Sequence, residues 1–195
     1  MNVNQLSTGV WPWQGRPMAW GDDLFGLLDD LEAQAEAAYD RERDVELVDR
    51  GRAEYAAVTL GSRLMASAGD DIAVTVMGVG VLRGRLARVS DGWSLLAASG
   101  RDWVVPWAAV TSVSGGSERS VAELAWSPVT RLGLGSALRR LAESGRACVV
   151  HTIDQHQYDA RVLRVGKDFV EVAVGEAGVA TLVPFAALAA ISSRD

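Results

Sequence analysis

Residues 57–116 are written a second time at 131–195, and this duplication limits the possible folds more than any other feature of the chain. Gly84-Arg85-Leu86-Ala87-Arg88-Val89 aligns with Ala160-Arg161-Val162-Leu163-Arg164-Val165. Val74 aligns with Val150, and Trp93 with Phe169. Val104-Val105-Pro106-Trp107-Ala108-Ala109-Val110 aligns with Leu182-Val183-Pro184-Phe185-Ala186-Ala187-Leu188. The offset is 76 at the start and 78 at the end, so a two-residue insertion lies in the loop before the fourth strand of the second copy. Leu60-Gly61-Ser62 matches Leu134-Gly135-Ser136 ahead of each copy. Chance agreement in strand pattern, proline position and preceding helix together is improbable.

Within each copy the apolar period is two, and turn residues recur every 8–12 positions. Strands are expected at 72–77, 81–89, 93–98, 103–106 and 110–114, and again at 147–153, 157–165, 169–174, 179–184 and 188–192. Ser127-Pro128 is a good cap followed by proline at the first helical position, and Gly145 is a good stop. They predict a helix over about 128–144. The unit is thus a helix followed by five short strands, the fourth running through a proline-aromatic-Ala-Ala turn into the fifth.

That order resembles the Sm-like barrel, a member of the SH3-like small-barrel class. Val81-Leu82-Arg83-Gly84-Arg85-Leu86 is similar to the family's long second strand, bent over a glycine. Pro106-Trp107-Ala108-Ala109 and Pro184-Phe185-Ala186-Ala187 are similar to its one-turn helix between strands four and five. The layout as a whole also resembles uncharacterised bacterial proteins, a likeness that implies no activity. The expected fold is mainly β with helices: two tandem five-stranded Sm/SH3-like barrels, each preceded by a helix, behind a long acidic N-terminal helix. The expected boundaries are a tail at 1–21, the acidic amphipathic helix at 22–56, the first helix-plus-barrel repeat at 57–116, a linker at 117–130 and the second repeat at 131–195. A barrel of about 60 residues buries only about 60% of its extended-chain surface, so two packed together gain stability that one lacks. The resemblance implies that the repeats pair within the chain or that the chain forms a homo-oligomer.

Charge is unevenly placed. Residues 22–50 hold eleven acids against Arg41, Arg43 and Arg50, while residues 51–195 carry fifteen bases and fourteen acids. Asp22 or Asp23 caps a helix whose apolar positions follow a three-four spacing, with Gly51 a candidate break. Leu24, Phe25, Leu28 and Leu31 form an apolar face beside Asp22, Asp23, Asp29 and Asp30. It reads as a docking segment for a protein partner that is itself partly basic, or as a cap on the chain's own core. Trp11, Trp13 and Trp20 lie among prolines and glycines in the tail, where they either fold back or form a short partner motif.

No run approaches 18 apolar residues, and no charged-then-apolar leader opens the sequence, so a cytoplasmic protein without membrane contact is expected. The single cysteine, Cys148, rules out an internal disulfide framework and a cysteine-rich zinc site. It lies in an apolar strand, where a thiol is ordinarily inert. His151, Asp154, His156 and Asp159 share one hairpin, but their spacing fits no ligand template, so neither a metal nor a cofactor is expected. Gly133-Leu134-Gly135-Ser136 lacks the third glycine and the preceding strand of a dinucleotide fingerprint. No nucleophile-elbow, P-loop, zinc-protease or kinase pattern occurs. The Sm-like resemblance brings nucleic acid into view: Arg83, Arg85 and Arg88 on one second strand, with Arg161 and Arg164 on the other, could contact phosphates in register. The loops Ser90-Asp91-Gly92-Trp93-Ser94 and Gly166-Lys167-Asp168-Phe169-Val170 do not keep the asparagine of that family's RNA pocket, and a net charge of −6 disfavours a polyanion. The expectation is a non-enzymatic interaction or scaffolding adaptor, with an RNA- or DNA-binding regulator as the alternative.

Overall fold

The computed structural model describes residues 31–34, 36, 39, 43 and 50–194. The chain divides into two compact units, Met1–Ala57 and Val58–Asp195. In the first unit every described residue from 31 to 56 is helical and exposed. Gly51 does not break this helix. A glycine costs a helix roughly 1 kcal/mol but supplies no stop signal. The interruption falls at 57–59, where Thr59 starts a new helix, α1 (Leu60–Ala66), with a reciprocal capping box. The Ser62 N–H donates to Thr59 Oγ1, and the Thr59 N–H donates to Ser62 Oγ, each at 3.1 Å.

Ten strands follow: β1 (Asp71–Val76), β2 (Gly80–Ser90), β3 (Trp93–Ala98), β4 (Arg101–Pro106), β5 (Val110–Ser114), β6 (Ala147–Thr152), β7 (Gln157–Val165), β8 (Phe169–Val174), β9 (Val179–Pro184) and β10 (Leu188–Ser193). Each expected strand is present, within two residues at either end. The expected helix at 128–144 is shorter. Ser127 caps a 3-10 turn, Pro128–Arg131, and Gly133 restarts the chain as α2 (Leu134–Ser144). Gly145 closes α2 in the left-handed region at φ 61°, a conformation glycine adopts without strain.

The doubling is visible in the strand registers. β2 is bulged between Leu86 and Arg88 against β3, and β7 is bulged between Val162 and Arg164 against β8. Trp93 faces Pro106, and Phe169 faces Pro184. The two-residue insertion is the β8–β9 loop, 175–178. It replaces the tight Ser99-Gly100 turn, whose residues both have positive φ as a two-residue hairpin requires.

The expected pair of closed Sm/SH3-like barrels is not what these strands build. They form one open antiparallel sheet in the order β5-β1-β2-β3-β4-β10-β6-β7-β8-β9. The reason lies in the cross-repeat ladder between β4 and β10. After the 3-10 turns Trp107–Ala109 and Phe185–Ala187, β5 pairs with β1 and β10 with β6, and neither ladder joins a fourth strand to the fifth strand of its own repeat. Closing each sheet on itself would remove its edges. Here the edge of β4 is satisfied by β10 of the other repeat, with Val104 opposite Ile191 and Trp103 opposite Ser192.

This seam divides the interior. One core is built from Leu64, Val74, Leu86, Leu96 and Val105, the other from Leu138, Val150, Val162, Val172 and Val183. β10 serves both: Ala189 and Ala190 lie in the first core, Leu188 and Ile191 in the second. α2 lays Leu138, fully buried, into the second core. At α1 the backbone of Gly61 lies so close to the rings of Trp107 and Trp126 that a β-carbon would stand 2.5 Å from the first and 3.2 Å from the second.

Candidate functional site

The five candidate arginines lie on β2 and β7, and all are exposed. Arg85 and Arg161 occupy the same place in the two repeats, as do Arg88 and Arg164. The bulges explain their exposure. Strict alternation would turn Arg88 and Arg164 inward, but the extra residue leaves both members of Ala87-Arg88 and of Leu163-Arg164 outside. The two stripes then diverge in charge. Asp159 stands where Arg83 stands in the first repeat. Arg164 is gripped by Glu171, its Nε and Nη2 each donating to a carboxylate oxygen at 3.0 Å. Glu171 holds the Arg164 guanidinium above its ordinary pKa, first by hydrogen bonding and then by charge. At the matching position of β3 the first repeat has Leu95.

The β6–β7 hairpin separates the residues considered for a metal. His151 is buried in β6. His156 Nδ1 and Asp154 form a pair at 3.1 Å on the exposed tip, and Arg194 approaches Asp159 at 3.7 Å. Asp154 is held below its ordinary pKa, chiefly by the hydroxyl of Thr152 and further by His156. Among the described residues no group of three or more His, Cys, Asp or Glu side chains could hold a metal ion. Cys148 is buried, and that burial raises its thiol pKa, partly offset by a backbone hydrogen bond.

Two arrangements were not anticipated. The first is at the seam, where Trp103 of β4, His151 of β6 and Ser192 of β10 meet. The imidazole lies 5.0 Å from the indole, tilted by 35°, and His151 Nε2 is 3.1 Å from Ser192 Oγ. His151 Nδ1 is buried without a hydrogen-bond partner, and burial, aided by the charge of Arg101, lowers the imidazole pKa. A cleft of about 500 Å³ runs beside the seam, between buried Val104, Cys148 and Ile191 and exposed Asp102, Arg146 and Arg194. No local pattern marks this cluster, because its members come together only when β4 meets β10. The second arrangement is at the sheet's two outer edges. β5 reads Val-Thr-Ser-Val-Ser and β9 reads Val-Ala-Thr-Leu-Val-Pro, and neither carries a charge. The absence of charge is written in the sequence, but which strands become edges is not.

Of the docking face, Leu24, Phe25 and Leu28 lie outside the described residues, as do the tail tryptophans. Leu31 is helical and 51% exposed, and Tyr39 and Tyr55 are more exposed still. Among the described residues no helix is long and apolar enough to cross a membrane. No protein-family model matches the chain, and no curated protein matches it in sequence.

Proposed function

We propose that this protein is a non-catalytic interaction scaffold, in which the acidic segment at 22–56 docks a partner with a partly basic surface. The observation that carries the reading is the exposure of Leu31 and Tyr39, both helical, in a segment so rich in acids. A contiguous apolar face rimmed by charged residues is the ordinary mark of an interaction surface. Acids flanking such a face add steering toward a positively charged partner and select against a negative one. The helix-in-groove mode reads anchors at three- and four-residue spacing, the spacing of Leu24, Leu28 and Leu31.

The test is affinity capture of the full-length chain from its native cell, beside a Leu28→Asp/Leu31→Asp variant. The expected outcome is one partner, recovered by the wild type, released by moderate salt and lost with the variant. Equal recovery by both proteins refutes the role given to the helix.

A further inference from the structure

The seam between the two repeats is an internal example of a contact that the outer edges of the same sheet are built to repeat. In the seam, Val104 of β4 stands opposite Ile191 of β10. By the repeat, Val104 corresponds to Leu182 of β9, and Ile191 to Val113 of β5. Those two residues lie on the two outermost strands, and no described strand pairs with the far side of either.

Backbone polarity agrees. The Phe185 N–H donates to the Asp168 carbonyl at 2.8 Å, just beyond the facing pair Phe169 and Pro184. In an antiparallel ladder that bond marks Phe169–Pro184 as a pair that exchanges no hydrogen bonds, so alternation turns the N–H and C=O of Leu182 away from β8. The same parity holds at the other end. The Leu86 N–H donates to the Asp70 carbonyl at 2.9 Å, which makes Asp71–Arg85 the non-bonded pair. Val74 then bonds toward β2, and Val113, opposite it, points its N–H and C=O away from β1. In the seam Trp107 donates to the Gly92 carbonyl in the way Phe185 donates to Asp168, so Val104 points its groups at β10.

Side chains tell the same story. Val104 is 8% exposed inside the seam, whereas Leu182 is 61% exposed. Val179, on the same edge, is 60% exposed. Natural edge strands are ordinarily guarded by charged side chains, inward bulges or mid-strand prolines. Here β5 and β9 hold no charge, the only proline is the last residue of β9, and the register shift of β5 falls between Val110 and Ser112, leaving Val113 and Ser114 in regular register with β1.

We propose that the occupant of these edges is a second copy of this chain, β9 of one molecule pairing with β5 of the next in the register of the seam, Leu182 opposite Val113 and Thr181 opposite Ser114. The contact joins unlike surfaces, so the assembly grows head to tail and ends by closing into a ring or continuing as a fibre. It is independent of the helical docking segment.

The full-length protein tests this by light scattering coupled to size-exclusion chromatography, over a dilution series. The wild type is expected to run as an oligomer that dissociates on dilution. Leu182→Pro removes an outward N–H from an exposed position and leaves the β8 ladder intact, so it is expected to be a folded monomer. Val113→Pro blocks the other edge and is expected to be monomeric as well. Each of these variants keeps the edge the other lacks, so their mixture is expected to give a 1:1 dimer and nothing larger. A wild type that is monomeric at every concentration overturns the proposal. So does a folded Leu182→Pro protein of unchanged oligomeric mass, or a Val113→Pro protein that dimerises alone, since that means like edges pair. Circular dichroism of each variant separates dissociation from unfolding, and if Val113→Pro does not fold, the Leu182→Pro result decides.

Discussion

The same substitution at two matching glycines should have opposite effects on stability. Gly61 and Gly135 are equivalent in the repeat, and both lie in the first turn of a helix. A β-carbon at Gly61 would stand 2.5 and 2.6 Å from two atoms of the Trp107 ring and 3.2 Å from Trp126. Ordinary carbon contacts are about 3.5–4.0 Å, so the overlap exceeds what thermal adjustment absorbs. Neither ring is free to swing: Trp107 Nε1 donates to Ser94 Oγ at 2.8 Å, and Trp126 Nε1 donates to the Val121 carbonyl at 3.1 Å. Overpacking of this kind costs about 1–3 kcal/mol, and breaking one of those bonds adds about 1 kcal/mol. The gain in helix propensity from glycine to alanine offsets at most about 1 kcal/mol. Gly61→Ala should therefore destabilise by about 1–3 kcal/mol. At Gly135 the nearest atoms are those of the Arg139 guanidinium, 3.6 Å away on an exposed and flexible chain. There the propensity term stands alone, and Gly135→Ala should stabilise by about 0.5 kcal/mol. Urea unfolding of the full-length variants, followed by tryptophan fluorescence, reads both effects as midpoint shifts at constant slope. Midpoints that move in the same direction, or a neutral Gly61→Ala, would refute the packing argument.

Two further outcomes follow from the seam. Burial lowers the His151 pKa in the folded state, so between about pH 6.5 and that lower value the unfolded chain binds the extra proton. Stability should hold above pH 6.5 and fall as the solution is acidified, by up to about 1.4 kcal/mol per pH unit, and a His151→Gln variant should lack this increment of slope. Parallel stability–pH curves for the two proteins would count against a neutral buried imidazole. Cys148 is buried with a raised pKa, so a thiol reagent at neutral pH should label it only after denaturant unfolds the second core, and prompt labelling of native protein would contradict its placement.

The strands were legible because period-two apolar patterning and turn residues are local signals, and because each was written twice. Val81–Val89 and its copy at 157–165 needed nothing from the rest of the chain to be read as strands. What β4 pairs with is not a local property. Trp103-Val104-Val105 reads the same whether its neighbour is β5 of its own repeat or β10 of the other, so the step from ten strands to two closed barrels rested on family likeness and on the cost of free edges. That cost is real, yet the chain meets it by joining the repeats. The same limit applies to Ser127-Pro128, a start signal that serves a 3-10 turn as well as an α-helix. Arg88 and Arg164 were recognised as strand-two arginines, but their outward aim depends on bulges that only cross-strand register displays. The seam trio of Trp103, His151 and Ser192 draws on three strands far apart in sequence, so no window of residues contains it.

The fourth strand of the first repeat is completed only by the fifth strand of the second. β10 follows every other described strand in sequence and lies between β4 and β6. During synthesis the first repeat must wait, its fourth strand bare, until β10 leaves the ribosome, a period in which that bare strand can be captured by a neighbouring nascent chain. Deleting Leu188–Ser193 would remove the keystone of an arch and part the two halves, where loss of β9 would trim only a margin.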